Sequence, residues 1–430
     1  MPRLALAVLL VAACGPSTAS SDSDATTGPD PTTMAATSGD SLTPTTSTTT
    51  ESTTPTTSGT TASGPPSQCG PPCEHTWEYD WSLIPGSVES DFRCLTRVRG
   101  DLTIGLNTDP AIVATLANLT RVDGALQIWG ADIPDLSTFA CLREVGELEL
   151  MDLPELADLS PLSQLRRAPS INLIRLGIAA LPTFAPDFAG IERLDLSGNS
   201  SLTDISELAV WGLAGDTFAL DLHRCPQFTD LGPLAALPLV DAARVDVSLF
   251  DLPALDSLAP LGAITSGTIE LTTLPKLTSL SGLEALTSGS LRLVDLPALT
   301  DLVPLAGLRE AETITIDDLP QLTSLTGLGA LERVEHTFEL GGCSAPALPG
   351  LHDLQGLDSL ARVGSLNLLG LTGLTTLAGA PLLTELAHLD IVDSPALPQA
   401  AFDAFLAQLT AAPMACFGPE GDCICVSRPI

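Results

Sequence analysis

Residues 291–308 read LRLVDLPALTDLVPLAGL, and the spacing of their leucines decides the fold. Leu291 and Leu293 flank Arg292, the alternation of a strand with one buried face. From Leu296 the leucines come at every third position, through Leu299, Leu302 and Leu305 to Leu308. Pro297 and Pro304 interrupt any helix here. Spacing by three over so short a run suits a coil that turns corners, each pointing one leucine inward. The tripeptide Asp-Leu-Pro within this stretch recurs at 152–154, 251–253 and 318–320. A repeated acidic tripeptide is either a ligand site or one corner of a repeated fold.

The apolar-x-apolar strand signature recurs through the chain, which favours the corner. It begins at Leu102-x-Ile104 and Leu126-x-Ile128 and ends at Leu366-x-Leu368 and Leu389-x-Ile391. There are thirteen such units from residue 102 to residue 391. Their mean period is about 24 residues, the signature of a solenoid whose coils are buried only by their neighbours. Stacked strands lie about 4.8 Å apart, which gives a body on the order of 60 Å long. Three residues after each strand comes an inward corner. It is Leu at 153, 176, 252, 274, 296, 319 and 371, with Asn107, Ala131, Asn199, Cys225, Cys343 and Ser394 in the other coils. The aspartate before it, at 152, 251, 295, 318 and 393, is expected to face outward and cap the turn. Only Asp295 and Asp318 stand in adjacent coils, so the series does not suit a calcium ladder.

Composition bounds the partners. The 430 residues carry a formal net charge of −34, and 4% are aromatic against 44% apolar. The core is therefore aliphatic, and the surface repels nucleic acid and anionic lipid headgroups. Lys276 is the only lysine.

The chain opens MPRLALAVLLVAACGPSTAS. Arg3 precedes an apolar run from Leu4 to Ala13 that is too short to span a bilayer and reads as a signal peptide over 1–13. Val11-Ala12-Ala13-Cys14 resembles the bacterial lipobox. That resemblance implies acylation of Cys14, hence stable anchoring. Gly15 in place of Asp favours, by the same resemblance, the outer membrane, with exposure at the cell surface open. Residues 15–68 hold 29 Ser and Thr in 54 positions and bury little, so 14–68 is expected to be an unfolded tether. Gly39-Asp40-Ser41-Leu42 resembles the start of the GDSL hydrolase motif, but no strand-turn surrounds Ser41 to supply a base.

The repeats resemble leucine-rich repeats. In IERLDLSGNSSLTDISEL (191–208) the matching residues are Ile191, Leu194, Leu196, Asn199 and Leu202. In FALDLHRCPQF (218–228), Cys225 takes the place of Asn199. The N-terminal part is similar to the receptor L domain, through Cys73, Cys94, Val98, Gly100, Leu102 and Ile104, with VDGALQI (122–128) and VGELEL (145–150) repeating the cue. The resemblance covers about 73–425. It implies a right-handed solenoid, β-rich with one parallel sheet, and a ligand-binding or adhesive role. The frequent Leu at the inward corner departs from the asparagine ladder of that family. A cap is expected over 69–93, in which Trp81, Leu83 and Phe92 cover the first coil. The solenoid fills 94–397. A cap helix with Phe402, Phe405, Leu406 and Leu409 and a Cys-rich tail occupy 398–430.

An exported chain permits disulfides. Cys225 and Cys343 fall at inward corners as buried thiols. Cys94 and Cys141 sit two strand spacings apart, roughly 9–10 Å, beyond disulfide reach. The expected bonds are therefore at the caps: Cys73 with Cys94, and Cys416 with Cys425 or its rival Cys423. Cys69, Cys73 and His75 could instead contribute to a zinc site, but neither cap offers regular ligand spacing, so no metal or other cofactor is expected.

The middle residue of each strand unit faces solvent. These are Thr103, Gln127, Glu149, Asn172, Asp195, Asp221, Ser248, Glu270, Arg292, Thr315, Glu339, Asn367 and Asp390. Glu149, Asp195, Asp221, Glu270, Glu339 and Asp390 make the row acidic, with Arg292 its one cation. Two uses compete: a solvated face that discourages aggregation, and a stripe that binds a protein or other cationic partner. Phosphate-cradling and metalloprotease motifs are absent, and His223 reads as a surface histidine beside Asp221. The expected function is a lipid-anchored envelope protein presenting its solenoid for binding or adhesion, not an enzyme. The alternatives are an envelope spacer without a ligand and a hydrolase with an unrecognised site.

Overall fold

The computed structural model describes residues 69, 75–83, 92–131, 133, 135–342 and 347–418. Cys14, the tether, Cys73, Cys343, Cys423 and Cys425 lie outside the described residues. Among the described residues, the spine of the fold is a seventeen-stranded parallel sheet. The thirteen strand units lie on successive strands from Leu102–Ile104 to Glu385–Val392, with Arg193–Asp195 stopping one residue short of Leu196. Each strand pairs with the next coil in side-chain register. Leu291 stands between Ile269 and Ile314, and Leu293 between Leu271 and Ile316. The chain is a solenoid of leucine-rich-repeat-like coils.

The opening stretch shows why a leucine comes every third residue. Leu296, Leu299, Leu302 and Leu305 are fully buried. The Leu299 N–H donates to the Leu296 carbonyl at 3.1 Å, and Leu305 to Leu302 and Leu308 to Leu305 at 2.9 Å each. Bonds spanning three residues give a three-fold period, so every corner projects one side chain inward. A buried leucine contributes about 2 kcal/mol, but only once the next coil covers it. One continuous apolar cluster accordingly runs from Leu83 to Ala415.

Asp-Leu-Pro marks the place where backbone geometry is most demanding. Asp152, Asp251, Asp295, Asp318 and Asp393 have φ between +52° and +57°. Gly130, Gly198 and Gly370 hold the equivalent place at +55°, +77° and +64°. Glycine, asparagine and aspartate enter this left-handed region most readily, whereas other L-residues lose about 1–2 kcal/mol there. The aspartate is thus selected for its backbone, and the leucine after it enters the core. The corner is closed between coils by its own peptide group: the Asp251 N–H donates to Thr272 O, Thr273 to Val294 O and Asp295 to Asp317 O, at 3.0–3.1 Å. The same backbone bond is present in the coil of Asn199, where the Gly198 N–H donates to His223 O at 2.7 Å.

Asn199 keeps the amide rung. Its Oδ1 accepts from the Leu176 N–H at 2.8 Å, and its Nδ2 donates to Leu173 O and Leu196 O at 2.7 Å. Cys225, one coil on, donates its thiol to Leu196 O at 3.3 Å. Burial pushes that thiol up to about 11, so it stays protonated. In the first coil the corner is displaced by one residue. Asn107 is exposed and takes the left-handed turn (φ +59°). Thr108 is the inward residue, 4% exposed, bonding Leu83 O and Gly105 O through its hydroxyl. The expectation for Asn107 is corrected accordingly.

A second polar layer recurs on many of the coils. Asp135, Asp158, Asp204, Asp230, Asp301 and Asp353 accept the N–H two residues on, at 2.7–3.1 Å. Bonds from Ser137 and Ser160 hold the Asp135 and Asp158 carboxyls below their usual range. Part of the chain's acidity is therefore turn chemistry.

The ends are closed by different means. Helix Gln399–Gln408 follows Pro398 and buries Phe402 and Phe405, and Phe402 stacks on Phe417 at 4.8 Å. Strand Met414–Gly418 then pairs with Glu385–Val392. At the other end His75–Trp77 and Trp81–Leu83 pair with Leu95–Val98 and Leu102–Ile104. Trp81 packs on Trp77 at 5.5 Å and on Phe92 at 4.3 Å. Strand pairing satisfies the backbone edge of the first coil as well as its apolar side.

The cysteines hold a bond not foreseen in the sequence. Cys69 is joined to Cys141 across a sequence separation of 72, with Cα atoms 5.3 Å apart. Closing a loop of that length removes roughly 4 kcal/mol of unfolded-chain entropy. It also withdraws Cys69 from any zinc site. Cys94 and Cys416 are each disulfide-bonded, to partners outside the described residues.

Substitutions at the corner separate backbone from side-chain roles. Thr273 is β-branched at φ +55°, so Thr273→Asn should raise stability by about 1 kcal/mol, and Asp295→Val should lower it by about 1–2 kcal/mol. Urea midpoints with an unchanged m-value would check both.

Candidate functional site

Parallel register carries the thirteen outward residues into one row. Thr103 stands opposite Gln127, Gln127 opposite Glu149, and Glu149 opposite Asn172. Asp195 and Asp221 follow, then Ser248 and Glu270. Arg292, Thr315, Glu339, Asn367 and Asp390 complete the row. Side chains two residues apart on strands about 4.8 Å apart make a regular solvent-facing grid.

Five of the six acids in the row have an identified partner. Thr103 donates to Gln127 Oε1 at 3.0 Å, and Gln127 Nε2 donates to Glu149 Oε2 at 2.8 Å. Asp195 Oδ1 accepts from the Ser197 N–H at 2.9 Å and from its hydroxyl at 2.5 Å. Glu270 accepts from Ser248 at 3.3 Å, and Glu339 from Asn367 at 3.4 Å. Among the described residues, Asp221 is the only row carboxylate in an ion pair, with Arg193. Burial nevertheless lifts the Asp221 carboxyl above its usual range; Arg193 and His223 oppose the rise, and Asp195 and Glu270 add to it. Glu149, Glu270, Glu339 and Asp390 are in no ion pair among the described residues, although Arg292 stands opposite Glu270.

Between strands Thr217–His223, Arg244–Phe250 and Ser266–Thr272 the face dips into a polar hollow of about 230 Å³. His223 Nε2 lies 2.9 Å from Ser248 Oγ, with its ring edge-on to Phe250 at 5.9 Å. Since Ser248 donates to Glu270, the histidine must donate to Ser248. The order His–Ser–Glu therefore does not give the serine a base, unlike a nucleophilic triad. His223 is a half-buried part of the face.

Beyond the acidic row lies a second outward row that the sequence reading passed over. Trp129 stands opposite Met151, and Met151 opposite Ile174. Farther along, His223 stands opposite Phe250 and Thr272 opposite Val294. The available signal was position: each of these residues comes two after a row residue, so alternation puts it on the same face. The row ends its regular run at Asp317, whose Oδ1 is buried without a hydrogen-bond partner among the described residues. Burial raises the Asp317 carboxyl, and Asp318 and Glu339 add repulsion, against an Asp318 backbone bond and Arg292. Among the described residues no group of three or more His, Cys, Asp or Glu is arranged to hold a metal ion, and no helix is long and apolar enough to cross a membrane.

Compared by sequence, the chain matches no family model and no curated protein. By structure it is similar to an internalin (InlF) of Listeria monocytogenes, at 16% identity and TM-score 0.45 over 76% of this chain and 87% of that one. It is also similar to a leucine-rich-repeat protein of Leptospira interrogans, at 14% identity and TM-score 0.30 over 73% and 93%. A third likeness is to the functional domain of InlJ of Listeria monocytogenes, described as including a cysteine ladder, at 12% identity and TM-score 0.29 over 70% and 74%.

The Asp317 environment has a testable sign. Its folded value lies above the ordinary 3.8, so the native state bears the cost of ionisation at neutral pH. Asp317→Asn should raise the melting temperature at pH 7, and the gain should shrink to nothing as pH falls below about 4. Calorimetry across that range would check it.

Proposed function

We propose that this chain is a protein-binding solenoid whose ligand surface is the solvent-facing side of the sheet, and that its partner is cationic. The observation that carries this reading is the row itself. Glu149, Glu270, Glu339 and Asp390 share one register line, and none is in an ion pair among the described residues, although much of the other acidity is spent on turns. Such a row focuses negative potential over a long surface and speeds capture of a positively charged protein. The Ser- and Thr-rich tether and acylation of Cys14 belong to the same proposal: an outer-membrane anchor for a solenoid used in adhesion.

A lysine-rich peptide should bind the full-length chain, and more weakly as salt rises. Joint replacement of Glu149, Glu270 and Glu339 by glutamine should reduce affinity about tenfold or more. Affinity unchanged in the triple variant would sink the cationic-partner reading. The anchor has its own test: Cys14→Ser should move the protein from the detergent-phase to the aqueous-phase fraction of exporting cells. A variant that stayed in the detergent phase would refute acylation at Cys14.

A further inference from the structure

The binding reading leaves open what kind of cationic segment the sheet selects. We infer that Leu106, Trp129, Met151 and Ile174 form an apolar platform beside the acidic row, and that it takes an amphipathic segment of a partner protein in which apolar side chains accompany lysines or arginines. The inference rests on the proposed function and narrows it to one part of the sheet.

Trp129 is 42% exposed and Leu106 50%, and the two lie in adjacent coils. The indole lies beside Gly105: a Cβ there would come 3.0 Å from the ring. The missing side chain leaves the indole a seat against the first coil. Leu106 in turn lies against Gly130 of the next coil. Met151 and Ile174 continue the surface strand by strand in register with Trp129. Contiguous apolar surface of this kind on a highly charged protein marks an interaction site.

Charge decides the occupant. On one side of the platform lie Glu147 and Glu149, which accept from Asn172 at 2.7 Å and Gln127 at 2.8 Å. Neither is in an ion pair among the described residues. On the other side Asp152 is neutralised by Arg175, which holds its carboxyl below the usual range. Of the carboxylates that border the platform on its strands, Asp152 is thus paired and Glu147 and Glu149 are not. A bound segment is oriented with its cations toward Glu147 and Glu149 and its apolar residues on the platform. The two rows are about 7 Å apart along the strand, the spacing of residues i and i+2 of an extended chain. A second copy of this chain is a poor occupant, because each copy carries −34; an anionic lipid surface is excluded on the same ground.

Two peptides of equal length and charge separate the contributions, one alternating lysine with leucine and one alternating lysine with serine. Calorimetric titration into the full-length chain should show the leucine peptide binding about tenfold more tightly. The double variant Trp129→Ser, Met151→Ser should abolish that difference while leaving the serine peptide's affinity unchanged, and Trp129→Phe should preserve it. Far-UV circular dichroism and melting temperature confirm that each variant is folded. Equal binding of both peptides to the parent chain, still weakened by Glu149→Gln, overturns the platform and leaves the acidic-row reading standing. Binding of neither peptide overturns both. Fluorescence quenching lost with Trp129→Phe and produced by maltotriose, but not by the leucine peptide, overturns the inference in favour of a carbohydrate.

Discussion

Everything in this molecule depends on leucine side chains that no single coil can bury. A coil of about 24 residues has an apolar centre but two open sides. Stacking covers both, and parallel strand pairing sets the distance and register at which it happens. The same register that places Leu291 between Ile269 and Ile314 also lines up their outward neighbours. Core and surface are therefore one construction. The outward residues form a row because the apolar residues on either side of each must meet their counterparts in the next coil.

The left-handed corner is the second constraint. After every strand the chain must turn sharply enough to send the next leucine inward, and the turn needs positive φ. Aspartate, asparagine and glycine meet this at low cost; Arg175, Arg224 and Thr273 meet it at higher cost. The recurrent Asp-Leu-Pro joins a residue that tolerates the turn, a leucine for the core and a proline that fixes the backbone beyond it. Carboxylates at these corners, and those that accept N–H bonds two residues on, account for much acidity without implying a ligand. Asp195 on the sheet shares that duty, accepting the Ser197 N–H, whereas Glu149, Glu270 and Glu339 accept from side chains of neighbouring strands instead.

On that sheet, two rows differ in chemistry. One is polar and acidic, and the other is apolar over Trp129, Met151 and Ile174 and again at Phe250 and Val294. Charge brings a basic protein to such a surface and orients it, while desolvation of apolar area supplies residence time. The polar hollow around Asp221 is less open to a ligand, since Arg193 already occupies its carboxylate.

The sequence by itself determined the strand period, the inward leucines, the outward row and the corner aspartates, because each follows from a two-residue or three-residue spacing along the backbone. It also located the helix that closes the C-terminal end, through Phe402 and Phe405. Only the tertiary structure decided which residues meet across coils without a shared period. Cys69 reaches Cys141, Arg193 neutralises Asp221, and Thr108 displaces Asn107 from the first inward corner. Gly105 and Gly130 leave Trp129 and Leu106 their places on the surface. These depend on the path of the chain at its irregular points, where side-chain reach and local shifts override the repeat, and no periodicity in the sequence encodes them.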